Sequence, residues 1–248
     1  MKKHSPRVPL ERAFSKLGHA SRGQARELIL AGRVRVNGTI RKDPLFPVTP
    51  ETAILEVDGK RLDRQEWRAL ILHKPKSVVT TRSDEKGRAT VFSLLKDGGN
   101  GLHAVGRLDF ATTGLLILTN DTRLSSWLTD PENQVPRTYV VTVRGEITPE
   151  KLKTLQKGVI DEDELLEPDE IELKKASGRE SHLVVTLSEG KNREIRRLFL
   201  SVGNEVTRLK RIAFGDLELG DLPAGETREL TREEVEKAFP NASIKKDD

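Results

Sequence analysis

The sequence predicts an α+β protein: a small helix-and-hairpin module followed by a larger body on a mixed, mostly antiparallel sheet. Three observations predict it. In residues 8–66, apolar positions recur first at helical spacing and then with period two around an Asn-Gly turn. From Ala69 onward, short half-buried strand patterns alternate with short helices. No glycine-rich phosphate fingerprint follows the first strand of the body, which argues against a doubly wound nucleotide fold. The 248 residues are 35% hydrophobic and 33% charged, enough for one medium core and a satellite domain.

Leu10, Ala13, Phe14 and Leu17 share one helical face, and Gly18 stops that helix. Ser21 and Gln24 have capping-box spacing for a second helix. Ala25, Leu28 and Ile29 form its apolar stripe, and Gly32 ends it. Arg33-Val34-Arg35-Val36 alternates, and Asn37-Gly38 is a hairpin turn. Lys42 to Thr52 holds three prolines and reads as a surface excursion. Ile54 to Val57 is a strand that ends at Asp58-Gly59.

In the body, 69–72, 78–81, 115–119, 139–143, 182–187 and 206–212 read as strands. Residues 124–128, 149–156, 194–201 and 232–238 read as helices, the third capped by Asn192. The domains implied are 8–66 and 69–240, with a frayed tail at 241–248.

Composition excludes several function classes. No apolar run approaches the roughly 18 residues of a spanning helix. Met1 to Pro9 is basic with no long apolar stretch behind it, so no secretory signal is read. There are no cysteines, hence no disulfides, thiol nucleophiles or cysteine-held zinc. Five histidines show no metal-ligand spacing, and no metal is expected. The expected location is the cytoplasm, as a monomer with no membrane contact.

Charge is unevenly placed. The net charge is +4, but residues 1–68 hold +7 and residues 69–248 hold −3. A basic module on a near-neutral body points to a polyanion partner. Arg12, Lys16, Arg22, Arg26, Arg33 and Arg35 fall outside the module's apolar faces. Arg22 and Arg26 lie one turn apart, where both can face one phosphate backbone. The run from Ser21 to Ile29 with Gly32 to Gly38 resembles the S4-like RNA-binding domain.

The segment Gly106-Arg107-Leu108-Asp109-Phe110-Ala111-Thr112-Thr113-Gly114 is longer than a hairpin needs and carries an acid, a base and hydroxyls. An Asp beside a turn ordinarily caps backbone. Residues 106–121, however, resemble the central motif of pseudouridine synthases. Three further segments resemble the family's motifs in order. These are 73–81, where the family more often starts with Asn than with His73; Arg137-Thr138-Tyr139; and 188–197 with 206–211. The likeness spans roughly 8–238 and is strongest to the branch with an S4-like domain that acts on ribosomal RNA.

The resemblance implies isomerisation of a flipped-out uridine in ribosomal RNA or a pre-ribosomal particle, with no cofactor. The segments at 129–141 and 190–199 lean towards the large-subunit type over the small. Asp109 is then the catalytic carboxylate. Arg196 fixes it and favours its charged form, with Arg193 as the alternative one turn away. Tyr139 stacks under the base, Leu209 packs on another side, and Arg107 holds a phosphate. Arg193, Arg197, Arg208, Lys210 and Arg211 would line the approach for RNA. From the residues alone, Tyr139 is equally a core aromatic and Arg107 a surface ion pair. A catalytically idle RNA-binding or assembly factor is the alternative function. A carboxylate-pair hydrolase is disfavoured, because no second acid accompanies Asp109 in its loop.

Overall fold

The computed structural model describes residues 7–20, 22–63 and 65–242. The cap expected at Ser21 and most of the expected tail lie outside the described residues. In the module, β1 (Val8–Pro9) leads into α1 (Leu10–Leu17) and α2 (Arg22–Leu30). Gly18 closes α1 in the left-handed conformation. Then come β2 (Val34–Val36), β3 (Thr39–Ile40), β4 (Pro47–Val48), β5 (Leu55–Val57) and β6 (Lys60–Arg61). Four of these pair in the order β3-β2-β5-β6, all antiparallel. Leu10, Phe14, Ile29, Val34 and Leu55 form its core, each large side chain contributing about 1.5–3 kcal/mol on burial. The excursion at 42–52 is less free than its prolines suggest. Val48 is buried, and β4 pairs with β1.

The body contains β7 (Ala69–Lys74), β8 (His103–Ala104), β9 (Thr113–Thr119), α3 (Thr122–Thr129) and β10 (Arg137–Arg144). It continues with α4 (Pro149–Gln156), β11 (Val159–Asp161), β12 (Glu164–Leu166), β13 (Glu170–Lys175) and β14 (Glu180–Leu187). Last come α5 (Glu194–Ser201), β15 (Val206–Phe214), β16 (Leu217–Glu218), β17 (Thr227–Leu230) and α6 (Arg232–Ala238). The main sheet runs β13-β14-β10-β15-β9-β7-β17. Among the described residues every pairing in it is antiparallel except β15 with β9. The architecture is α+β.

That one parallel seam positions the site. It is two residues long, Lys210 opposite Thr113 and Arg211 opposite Gly114. It joins the half-sheet β9-β7-β17 to the half-sheet β13-β14-β10-β15, and separate apolar clusters pack on the two. Gly114 makes it possible. Its φ is +108°, and a Cβ there would stand 2.1 Å from the Arg211 carbonyl oxygen. Only glycine lets the two backbones approach this closely. At the same level β15 carries a β-bulge, with Ile212 as the extra residue opposite Thr138 and Tyr139 of β10.

The predicted helices 149–156, 194–201 and 232–238 match α4, α5 and α6. Residues 78–81 form no strand. Val79 makes only an isolated bridge to Thr90, and Thr80 turns its hydroxyl to the Leu108 carbonyl. Asn192 does not cap α5. Arg193 occupies that position at φ +51° without a side-chain cap, and Glu194 accepts from the Lys191 N–H instead. The edge strand β13 and the hairpin β11–β12 escaped the sequence pattern because mostly charged residues surround their few buried positions.

Candidate active site

The segment before β9 is held from below. The Asp109 carbonyl accepts from the Thr112 N–H, closing a turn. The Leu108 carbonyl accepts from the Thr80 hydroxyl, and the Phe110 carbonyl from the Ser77 N–H. Lys74 lies fully buried at the end of β7 and donates to the Thr112 carbonyl at 2.8 Å and the Pro75 carbonyl at 3.1 Å. Four anchors thus fix a loop that leaves Asp109 exposed at its crest.

Asp109 faces a cleft of about 470 Å³. Arg196 Nε on α5 stands 3.5 Å from its Oδ2. The same guanidinium donates to the Val206 carbonyl and, at 3.4 Å, to the Thr112 hydroxyl. One planar fork therefore ties α5, β15 and the loop together, which a point charge on a flexible stem cannot reproduce. Tyr139, Leu209 and Arg107 line the same cleft; Arg193 stands exposed at its edge. Tyr139 is half-buried and packs against two cores, so a structural part is present as well.

The arginines expected along the approach divide. Arg197 points elsewhere, to Asp161 and Glu164 at 2.5 Å each, which pins the β11–β12 hairpin onto α5. Arg211 is only 3% exposed; it lines the cleft, donates to the Leu115 carbonyl and lies over Phe214. Both are held within the protein rather than presented to a backbone outside. Arg208 is exposed and Lys210 half-buried. On the module, Arg12, Arg22, Arg26 and Arg35 are exposed, Lys16 is half-buried, and Arg33 forks onto Asp58.

Three contributors escaped the sequence reading as site residues. Lys74 was visible only as part of a motif. Burial pulls it down to about 8, which the nearby Asp109 carboxylate partly opposes. Lys74→Met is expected to lower turnover about 10- to 100-fold by loosening the loop, with RNA affinity unchanged. Wild-type turnover is expected to fall as pH rises through about 8, where the ammonium loses its charge, and a pH–rate profile checks both. Arg137, also buried, supports the cleft floor through the Leu128 and Ser188 carbonyls.

Glu194 is the third. It lines the cleft and is 4% exposed. Burial, and then the neighbouring Glu189 carboxylate, push it up to about 7. The folded chain thus keeps a proton that the unfolded chain releases near 4.5, so stability falls as pH rises through that window. Glu194→Gln keeps the acceptor for Lys191 and is expected to stabilise the protein by on the order of 2 kcal/mol near pH 8. The gain vanishes towards pH 4.5, as thermal melts at both pH values would show.

Residues 68–201 match the family model described as RNA pseudouridylate synthase, and residues 10–54 match the S4 domain. An RNA pseudouridine synthase of Aquifex aeolicus is 39% identical over 240 residues, 96% of either chain. Ribosomal large subunit pseudouridine synthase B of Bacillus subtilis is 36% identical over 230 residues, 92% of this chain and 94% of that one. The crystal structure of a pseudouridylate synthase matches with a TM-score of 0.65 at 29% identity, covering 93% of this chain and 99% of the other. With more than half its length inside the family model and a relative this similar along nearly all of it, the chain belongs to the RNA pseudouridylate synthases and is a pseudouridine synthase with an N-terminal S4 domain.

Proposed function

We propose that this enzyme converts one uridine of large-subunit ribosomal RNA to pseudouridine, with Asp109 as the catalytic carboxylate. The observation that supports it most is the Arg196 Nε standing 3.5 Å from the Asp109 carboxylate inside a cleft that Tyr139 and Leu209 also line. The reaction breaks the bond from the sugar to N1, turns the base and joins C5 to the same sugar carbon; C5 gives up a proton and N1 gains one. Nothing is oxidised and no group leaves. A stacked base cannot enter the cleft, so the target is extruded first. Asp109 then meets the reacting sugar or base, Arg196 keeps its carboxylate aimed, and Tyr139 and Leu209 hold the base plane. The large-subunit assignment draws on the relatives named for that activity. Cytoplasmic action on RNA or an assembling particle follows from the same substrate.

The two domains divide the work, with residues 8–66 gripping backbone and 69–240 doing chemistry. Arg22→Ala with Arg26→Ala is expected to weaken RNA binding roughly uniformly across sequences. It also lowers the slope of log affinity against log salt by about 1–2. A filter-binding salt series checks it. The function itself is tested by mapping pseudouridines in ribosomal RNA from a strain lacking the gene. One missing large-subunit pseudouridine, restored by the wild-type gene and not by Asp109→Asn, is the expected result. An unchanged map overturns the proposal.

A further inference from the structure

Phe110 is out of place by the ordinary rules of burial. Of the chain's seven phenylalanines, all within the described residues, it is the one with an exposed ring, at 43%. It follows Asp109 directly, yet it does not line the cleft that Asp109 lines. Its backbone thus adjoins a cleft-lining residue while its ring lies outside the lining.

The ring is also held in place. Its carbonyl accepts from the Ser77 N–H at 2.8 Å, and Ser77 adopts a left-handed φ of +67° to make that bond. The Arg88 guanidinium carbon lies 5.6 Å from the ring centroid. Arg88 is itself clamped: its Nη2 donates to Asp84 Oδ1 at 2.6 Å, and its backbone N–H to Asp84 Oδ2 at 2.9 Å. One side of the ring thus has a fixed prop, while the ring keeps substantial open surface. An apolar plate kept exposed by such scaffolding has little to do in folding.

On the reading that a uridine is extruded into the cleft, we propose that Phe110 stacks against the base next to that uridine in the RNA strand. Extrusion removes a stacking partner from each neighbour, and a planar aromatic ring replaces one. Stacking on an aromatic side chain tolerates any base, so the ring stabilises the opened strand without reading its sequence. Arg107, exposed on the other side of Asp109 and lining the cleft, suits the intervening phosphate. An aromatic and a cation then flank the carboxylate, one for a base and one for the backbone.

The test uses the full-length enzyme and a transcript of the RNA helix that carries the mapped uridine. Phe110→Ala and Phe110→Leu are expected to raise KM about 5- to 150-fold, with kcat at saturating RNA nearly unchanged. Phe110→Trp is expected to restore KM, and the loss is expected to be independent of salt, unlike that of Arg107→Ala. Replacing one neighbour of the target by an abasic nucleotide brings the wild type to the level of Phe110→Ala and harms that variant no further. The proposal is overturned if Phe110→Ala stays within about 2-fold of wild type, if Phe110→Leu binds as well as wild type, or if the two losses add in full. If the wild type isomerises no uridine, the functional reading fails instead. Fluorescence anisotropy of the same transcripts with wild type and Phe110→Ala then decides the stacking role by the same criteria.

Discussion

Replacing Asp109 by asparagine is expected to cut pseudouridine formation by about four to six orders of magnitude, the scale seen when an enzyme loses its nucleophile or base. The fold is expected to survive, because the Asp109 side chain supports none of the loop's anchors. The loop is held by its backbone carbonyls, by Thr80 and by Lys74. Arg196 keeps its bonds to Val206 and Thr112. RNA affinity is expected to stay within about 3-fold, because phosphate contacts dominate it. Release of tritium from RNA labelled at uridine C5 measures the rate, and a gel-shift titration measures the binding. An asparagine variant turning over near the wild-type rate would remove Asp109 from the chemistry.

Arg196→Lys separates orientation from charge. The guanidinium makes three contacts from one plane: Asp109, Thr112 and the Val206 carbonyl. A lysine ammonium keeps the positive charge and loses the fork. The rate constant is expected to fall about 100-fold, in line with a small displacement of a reacting group, while RNA affinity changes little. Equal losses in rate and affinity would instead make Arg196 an RNA contact. Arg193→Lys is the internal comparison, since that side chain stands exposed at the cleft edge.

Local pattern made much of this legible. The stripe of Leu10, Ala13, Phe14 and Leu17 needs only helical spacing and a following glycine, and both lie within nine residues. The bounds of α4, α5 and α6 were legible from spacing too, although the Thr148 and Thr231 caps were not read from the sequence and the Asn192 cap read for α5 is not made. The Gly106-to-Gly114 segment stood out because its length and polar content exceed what a turn requires. Where pattern failed, the determinant was distant. Residues 78–81 look like a strand in isolation, but Thr80 is recruited by Leu108, 28 positions away.

The two-part α+β organisation, the basic module and the motif residues that identify the family are all written in local pattern and composition. Local pattern could not decide which arginines face the cleft. Arg196 and Arg197 are adjacent in sequence, yet one reaches Asp109 and the other is spent on Asp161 and Glu164. Successive helical positions point about 100° apart, so what each meets depends on the elements packed on either side. Nor could it show that Lys74 lies beneath Thr112, or that burial beside Glu189 raises Glu194. The Asp109–Arg196 contact likewise depends on the seam between β9 and β15, where Gly114 lets backbones nearly a hundred residues apart come together. Contact at that range is a property of the assembled sheet; periodicity along the chain, which decays within a turn or two, carries no record of it.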